Sequence, residues 1–293
     1  MISKTPLRSR QVTSKKIPTA KNIRAFQKMI LDHYRVQGRD LPWRRTRNPF
    51  RILVSEIMLQ QTQVERVLDK YKQFLGEFPN LTALANAPLH TLLSIWQGMG
   101  YNRRALALKS LAQKVVSEHA GKLPSDPDVL LTLPGIGPYT AGAVAAFAFN
   151  KPVLFIDTNI RRVFIHVFFQ DQENITDTQI LLLVERTLDA RDPRTWYNAL
   201  MDYGATLKQT QKNPNRKSAH YQRQSPFENS NRQVRGRILK TLIALSSLTV
   251  AEIVNKVGAD AEQVENNLVQ MQEEGFIKKK GRTFAIAQDG QLA

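Results

Sequence analysis

The 293-residue sequence predicts a mainly α-helical protein, and three observations carry that reading. Apolar residues recur at three- and four-residue spacing through most of the chain, as in helices that bury one face. No strand pattern is convincing before a short basic hairpin turning at Gly281. Glycine and proline punctuate the helical segments, most densely in LPGIGP, Leu133 to Pro138.

A hydrophobic content of 42% supports a folded core, and the length allows more than one domain. The formal charge of +17 and pI near 10.2 form the electrostatic footprint of a nucleic-acid binder, one shared with ribosomal and other cationic proteins. The chain has no cysteine, which excludes disulfides, thiolate zinc sites and thiolate-held iron-sulfur clusters. No apolar run reaches the roughly eighteen residues of a membrane span, and the N-terminus lacks the apolar core of a secretory signal. A cytoplasmic, nucleoid-associated monomer is expected.

In chain order, residues 1–21 form a basic arm, with Lys4, Arg8, Arg10, Lys15, Lys16 and Lys21 and no acid. Such an arm either contacts phosphate or merely solubilises. A first domain is expected over 22–207. Ile23, Phe26, Ile30 and Tyr34 share one helix face that ends at Gly38; Pro42 and Pro49 hold the next stretch extended. Ile52 to Leu59 read as a largely buried helix. After a break at Gln60 to Gln63, Val64 to Phe78 form an amphipathic one. Helices follow at Leu81 to Ala87, Leu89 to Trp96, Arg103 to His119, Ile180 to Leu188 and Trp196 to Leu207.

The central stretch is Leu133 to Arg162. Gly135 and Gly137 bracket Ile136 in a turn expected to need positive φ, and Pro138 presets the following helix. Backbone N–H groups at that helix start would make an anion site, suited on a basic protein to a nucleic-acid phosphate. Asp157 follows the apolar run Val153 to Ile156. It is either an N-cap for the helix through Ile160, Val163, Phe164 and Val167 or a catalytic carboxylate near the hairpin, and one residue can be both. Glu56 stands among Ile52, Leu53, Val54, Ile57, Met58 and Leu59. It is either the exposed stripe of that helix or a buried acid with a raised pKa, suited to giving up a proton.

Residues 208–236 are basic, polar and poor in apolar residues, either a linker or a DNA-contacting loop carrying Arg216, Lys217 and Arg223. Over 237–293 the pattern returns: a helix from Arg237, a second capped through Thr249 with Glu252 three residues on, a third over Ala259 to Ile277, then the basic hairpin. This order resembles a winged helix-turn-helix, whose third helix enters the major groove in DNA-binding versions. Here that helix carries Glu262, Glu265, Glu273 and Glu274, which favours packing or wing-only contact.

Four motifs then fall in family order: SEIMLQQTQV (Ser55 to Val64), QGMGYNRRA (Gln97 to Ala105), LPGIGPYTAGAV (Leu133 to Val144) and IDTNIRRV (Ile156 to Val163). Over Arg24 to Leu207 the sequence resembles the helix-hairpin-helix DNA glycosylases, most of all the A/G-specific adenine glycosylases of the MutY type. The resemblance implies two helical lobes around a cleft, plus the winged-helix-like segment. It implies that Glu56 protonates a ring nitrogen of a flipped adenine and that Asp157 steadies the sugar cation left behind. By the same resemblance Tyr139 and Asn159 line the pocket, and Gln61 and Tyr101 enter or flank the base stack beside Gln60. The hairpin residues Leu133, Gly135, Ile136, Gly137, Tyr139 and Thr140 then meet double-stranded DNA, with a monovalent cation as a candidate guest. A lysine stands at the Tyr139 position in relatives that also cleave the backbone, so a monofunctional enzyme is expected.

Three features depart from the family pattern. The four cluster cysteines expected after the segment matching MDYGATL are absent, as in clusterless variants. The winged-helix-like segment replaces a domain related to Nudix hydrolases that detects oxidised guanine opposite the adenine. DTN and GYN stand for the usual DGN and GYY. The expected activity is excision of adenine opposite G or oxidised G in base excision repair. Two alternatives are a thymine or uracil glycosylase at G·T or G·U, and a non-catalytic DNA-binding protein.

Overall fold

Most helices begin where the chain supplies a side-chain oxygen for the unpaired N–H groups of a first turn. A computed structural model describes residues 18–210, 212–222 and 226–288. The basic arm therefore falls largely outside the described residues. Thr19 caps α1 (Ala20–Gln37), Asn48 caps α2 (Pro49–Leu59) and Asn80 caps α4 (Leu81–Asn86), with α3 (Val64–Glu77) between. Then come α5 (Leu89–Trp96), α6 (Arg103–Glu118), α7 (Pro127–Leu131) and α8 (Pro138–Phe149). Asp157 caps α9 (Thr158–Phe168), a Thr176–Gln179 capping box opens α10 (Asp177–Thr187), and α11 (Pro193–Thr210) follows.

Two apolar cores organise these helices. One gathers the inner faces of α2 to α7, including Leu53, Phe74, Leu92, Trp96 and Leu111. The other gathers α1, α9, α10 and α11 around Phe26, Phe164 and Trp196. Helix α8 is apolar on every side and serves both, giving Ala141 and Val144 to the first core and Ala143, Ala146 and Phe147 to the second. It packs on α2, which sends Leu53, Val54, Ile57 and Met58 one way and Ile52 the other. The facing surfaces of α2 and α8 thus lie where the two lobes meet.

Several details differ from the sequence expectation. Pro42–Arg44 is a 3-10 turn rather than extended chain, because proline at a helix start lacks only an N–H that would go unpaired there. Helix α7 is one turn long, too short to show a period. The described part of residues 208–236 is neither plain linker nor open loop. Lys208–Thr210 complete α11, and a 3-10 helix at Pro214–Lys217 buries Pro214 and Asn215. The Asn215 side chain donates to the Thr158 carbonyl at 2.9 Å, and Ile175 and Ser218 form a parallel bridge.

The C-terminal segment runs α12 (Asn231–Leu245), β1 (Ser247–Thr249), α13 (Val250–Val257), α14 (Ala261–Glu273), β2 (Ile277–Lys280) and β3 (Thr283–Ile286). Helix α12 starts six residues before the expected Arg237, capped by Ser230. The sheet has three strands in the order β1-β3-β2, not two; β1 pairs Leu248 with Phe284 but is too short to read as alternation. This segment shares the first core, through Ile238, Leu242, Leu268 and Phe276. Glu274, just beyond α14, joins Arg235 of α12 to Arg103 of α6, and His90 meets the Ile243 carbonyl at 3.1 Å.

Candidate active site

The hairpin between α7 and α8 turns on one glycine. Gly135 has φ +75°, and a β-carbon there would lie 2.7 Å from Ala107 Cβ, so backbone and packing both exclude a side chain. Gly137, expected to share positive φ, instead has φ −100° and caps α8 in extended conformation. Nothing lies within 4 Å of where its β-carbon would be. That open side leaves the first-turn N–H groups of α8 approachable, as an anion site requires. Leu133 and Ile136 give their side chains to the core, at 3% and 8% exposure, and their N–H groups donate to the Leu130 and Leu133 carbonyls at 3.1 and 3.2 Å, so the two residues shape the hairpin.

Glu56 occupies the buried face of α2, not an exposed stripe; it is 4% exposed. The Tyr139 hydroxyl, from the first turn of α8, donates to its Oε2 at 2.5 Å. Burial pushes the Glu56 carboxyl up to about 7, and the negative Asp157 pushes the same way; Tyr139 and the Arg44 guanidinium pull it down. Arg44 is held by Asp202, whose two oxygens accept its guanidinium at 2.6 and 2.7 Å. Burial, then the neighbouring acids Glu56 and Asp157, raise the Tyr139 phenol far above its usual range, so it stays protonated and donates to Glu56.

Asp157 is both cap and cleft wall. Its Oδ1 accepts the Ile160 N–H at 2.6 Å and its Oδ2 the Asn159 amide at 2.9 Å. Arg162, buried at 3% exposure, donates to Asn159 Oδ1 at 2.8 Å and to the Gly204 carbonyl at 2.7 Å. Since guanidinium only donates, it fixes Asn159 with its oxygen toward Arg162 and its NH₂ toward Asp157. Gly204 permits this approach: a β-carbon there would lie 2.6 Å from the Asn159 carbonyl oxygen. Burial raises the Asp157 carboxyl, opposed by the Ile160 and Asn159 hydrogen bonds and by Arg162. Two carboxyls in one cleft favour sharing a single proton. The surroundings favour Glu56 as its holder, since Glu56 accepts one hydroxyl while Asp157 has two N–H donors and a helix N-terminus.

A cleft of about 1660 Å³ joins these groups, lined by Glu56, Gln60, Gln61, Tyr101, Gly137, Tyr139, Thr140, Asp157 and Asn159. Gln60 donates to Thr140 Oγ1 at 3.2 Å, tying the end of α2 to the hairpin helix. Gln61 and Tyr101 both hold positive φ, 53° and 45°, in two adjoining loops. One guanidinium binds those loops together: Arg104 donates to the carbonyls of Ile57, Met58 and Gln60 on one side and of Met99 and Gly100 on the other. Burial lowers its pKa to about 10, which leaves it charged at neutral pH. Sequence reading gave Arg104 no role, because nothing local distinguishes it from Arg103.

Arg216 and Lys217 do not line this cleft. Lys217 is occupied by the Gln170 carbonyl and Glu173, since the 3-10 helix that carries it packs on α9. Arg223 lies outside the described residues. The same packing bears on an iron-sulfur cluster: the chain has no cysteine, and no His, Cys, Asp or Glu group among the described residues could hold a metal. The residues present do not fit a cluster, and Pro214–Ser218 fill the ground beside α9.

A helix-hairpin-helix, two lobes and a cleft pairing a buried acid of raised pKa with a capped carboxylate define a class of base-excising DNA repair proteins. The family model of the HhH-GPD superfamily base excision DNA repair protein matches residues 54–186. An adenine DNA glycosylase of Mycolicibacterium smegmatis is 36% identical over 284 residues, covering 89% of this chain and 96% of that one. The human adenine DNA glycosylase is 36% identical over 63% of this chain and 36% of its own length, and that of Buchnera aphidicola 37% identical over 62% and 52%. The chain thus spans about half of the Buchnera relative and about a third of the human one. Among solved structures, a thermostable thymine-DNA glycosylase matches with a TM-score of 0.58 at 30% identity, over 63% of this chain and 87% of that one. An endonuclease III–DNA complex shares the fold, with a TM-score of 0.51 at 23% identity over 65% and 86%. The chain belongs to the adenine DNA glycosylase family within the HhH-GPD superfamily.

Proposed function

We propose that this protein hydrolyses the N-glycosidic bond of an adenine flipped out of duplex DNA opposite G or oxidised G. The observation that carries this reading is Glu56, a buried acid with pKa about 7 in the same cleft as the capped Asp157. A base inside a duplex is out of reach, so it must enter the cleft extruded, with Gln61 and Tyr101 placed to fill the gap. Glu56 donates its proton to a ring nitrogen of the adenine and the base leaves neutral. Positive charge develops on the sugar, where ionised Asp157, oriented by Asn159 and Arg162, stabilises it until water adds. No side chain need bond to the sugar: Tyr139 stands where an amine would, and its phenol stays protonated. The enzyme is then monofunctional, acts as a cytoplasmic monomer, uses no iron-sulfur cluster and offers the hairpin to a monovalent cation.

One observation favours a second reading. The thymine-DNA glycosylase neighbour is 30% identical, and a neutral acid can protonate a pyrimidine carbonyl as well as a purine ring nitrogen. Labelled duplexes with A·G, A·oxidised-G, G·T and G·U pairs, incubated with protein and then alkali, separate the two. Breaks at adenine alone support the proposal, breaks only at T or U replace it, and none at any pair leaves a DNA-binding protein.

A further inference from the structure

The C-terminal segment has the element order of a winged helix, yet its third helix is poorly made for DNA. Helix α14 has no lysine or arginine, and its exposed residues include Glu262, Glu265 and Glu273. Helix α12, the first of the segment, has the opposite composition: Arg232, Arg235, Arg237 and Lys240, with no acid. Arg235 is spent on Glu274, locking the segment to α6. Arg232, Arg237 and Lys240, with Gln233 and Gly236, line the catalytic cleft, and Arg237 also donates one guanidinium N–H to the Val257 carbonyl at 3.3 Å.

Two further features mark this face. Gly236 sits inside a helix, where glycine is unfavourable, and nothing lies within 4 Å of an added β-carbon, so neither packing nor positive φ explains it. A bare backbone on a cationic helix face lets a ligand's backbone come close. Phe227, 57% exposed at the cleft edge, and Tyr101 lie 6.0 and 5.5 Å from the Arg232 guanidinium, which also donates to the Tyr101 hydroxyl at 2.7 Å. The C-terminal segment is thereby joined to the loop expected to enter the base stack.

We infer that the C-terminal segment binds duplex DNA through the cleft-facing side of α12, and not through its third helix or its wing. This rests on the cleft being the DNA site. Arg237 and Lys240 take phosphates of the bound duplex, Gly236 gives the backbone room, and Arg232 holds Tyr101 toward the stack.

The test measures duplex affinity between about 50 and 200 mM salt. Arg237→Gln with Lys240→Gln removes two phosphate contacts, so the slope of log K against log salt becomes shallower by about 2. Lys278→Gln, Lys279→Gln and Lys280→Gln together, on the wing, leave it unchanged. Gly236→Leu raises the unfolding temperature through better helix propensity yet weakens binding roughly tenfold or more. An unchanged slope in the α12 variant, a loss confined to the wing variant, or full affinity in Gly236→Leu overturns the inference. The activity is judged apart: wild-type protein that binds with this slope but releases no base refutes the proposed function alone, whereas normal base release with an unchanged slope refutes this inference alone.

Discussion

Replacing Glu56 by Gln separates its two physical consequences. The glutamine keeps the shape and can accept the Tyr139 hydroxyl, but cannot ionise or donate an acidic proton. In the wild type the folded carboxyl titrates near 7, against 4.5 in open chain, so the folded state holds the proton more tightly. The associated stability is fully present below about pH 4.5, is lost as pH rises toward 7 and is flat above. At about 1.36 kcal/mol per pH unit that gap amounts to roughly 3 kcal/mol, most of which is lost between pH 5 and pH 8. Urea unfolding of both proteins at the two pH values reads this directly: the Gln variant gains roughly 2 to 3 kcal/mol on the wild type between pH 5 and 8. It should also release no base, while wild-type single-turnover release declines above about pH 7. A stability difference constant to within about 0.5 kcal/mol would mean that Glu56 ionises as in the unfolded chain, and the acid role would fall with it.

Asp157→Asn should keep duplex binding and lose base release, since the amide can still cap α9 but carries no charge for the sugar cation; comparable release would remove Asp157 from the mechanism. Arg104→Met should cost on the order of 3 kcal/mol in urea unfolding, because part-buried carbonyls at the end of α2 and in the loop before α6 lose their donor. It should also slow base release, and a neutral result on both counts would deny Arg104 its organising place. Asn215→Ala should cost about 1 kcal/mol for the lost bond to Thr158 and slow release by displacing the start of α9. Stability lost with an unchanged rate would make the Pro214–Ser218 packing structural only.

What the sequence determined by itself is everything that rests on local chemistry. Helical periodicity, the caps at Asp157 and Thr249, and the glycine at Gly135 act within a few residues, so the helices and hairpin were legible. The motif around Glu56 and the one around Asp157 named the two acids, yet each carried two readings. Only the packing of α2 on α8 placed Glu56 on a buried face beside Tyr139, which sets its pKa; burial is a property of the assembled lobes, not of one helix. The charge-rich segments were the least legible. Lysine and arginine look alike along a chain, and only tertiary structure sent Lys217 to the Gln170 carbonyl beyond α9, Arg104 to the backbone at the end of α2, Arg162 to the Gly204 carbonyl and Arg232 to the cleft. A cation's role is set by the carbonyl or carboxylate within about 3 Å of it. In this protein those partners stand from 3 to 171 positions away along the chain.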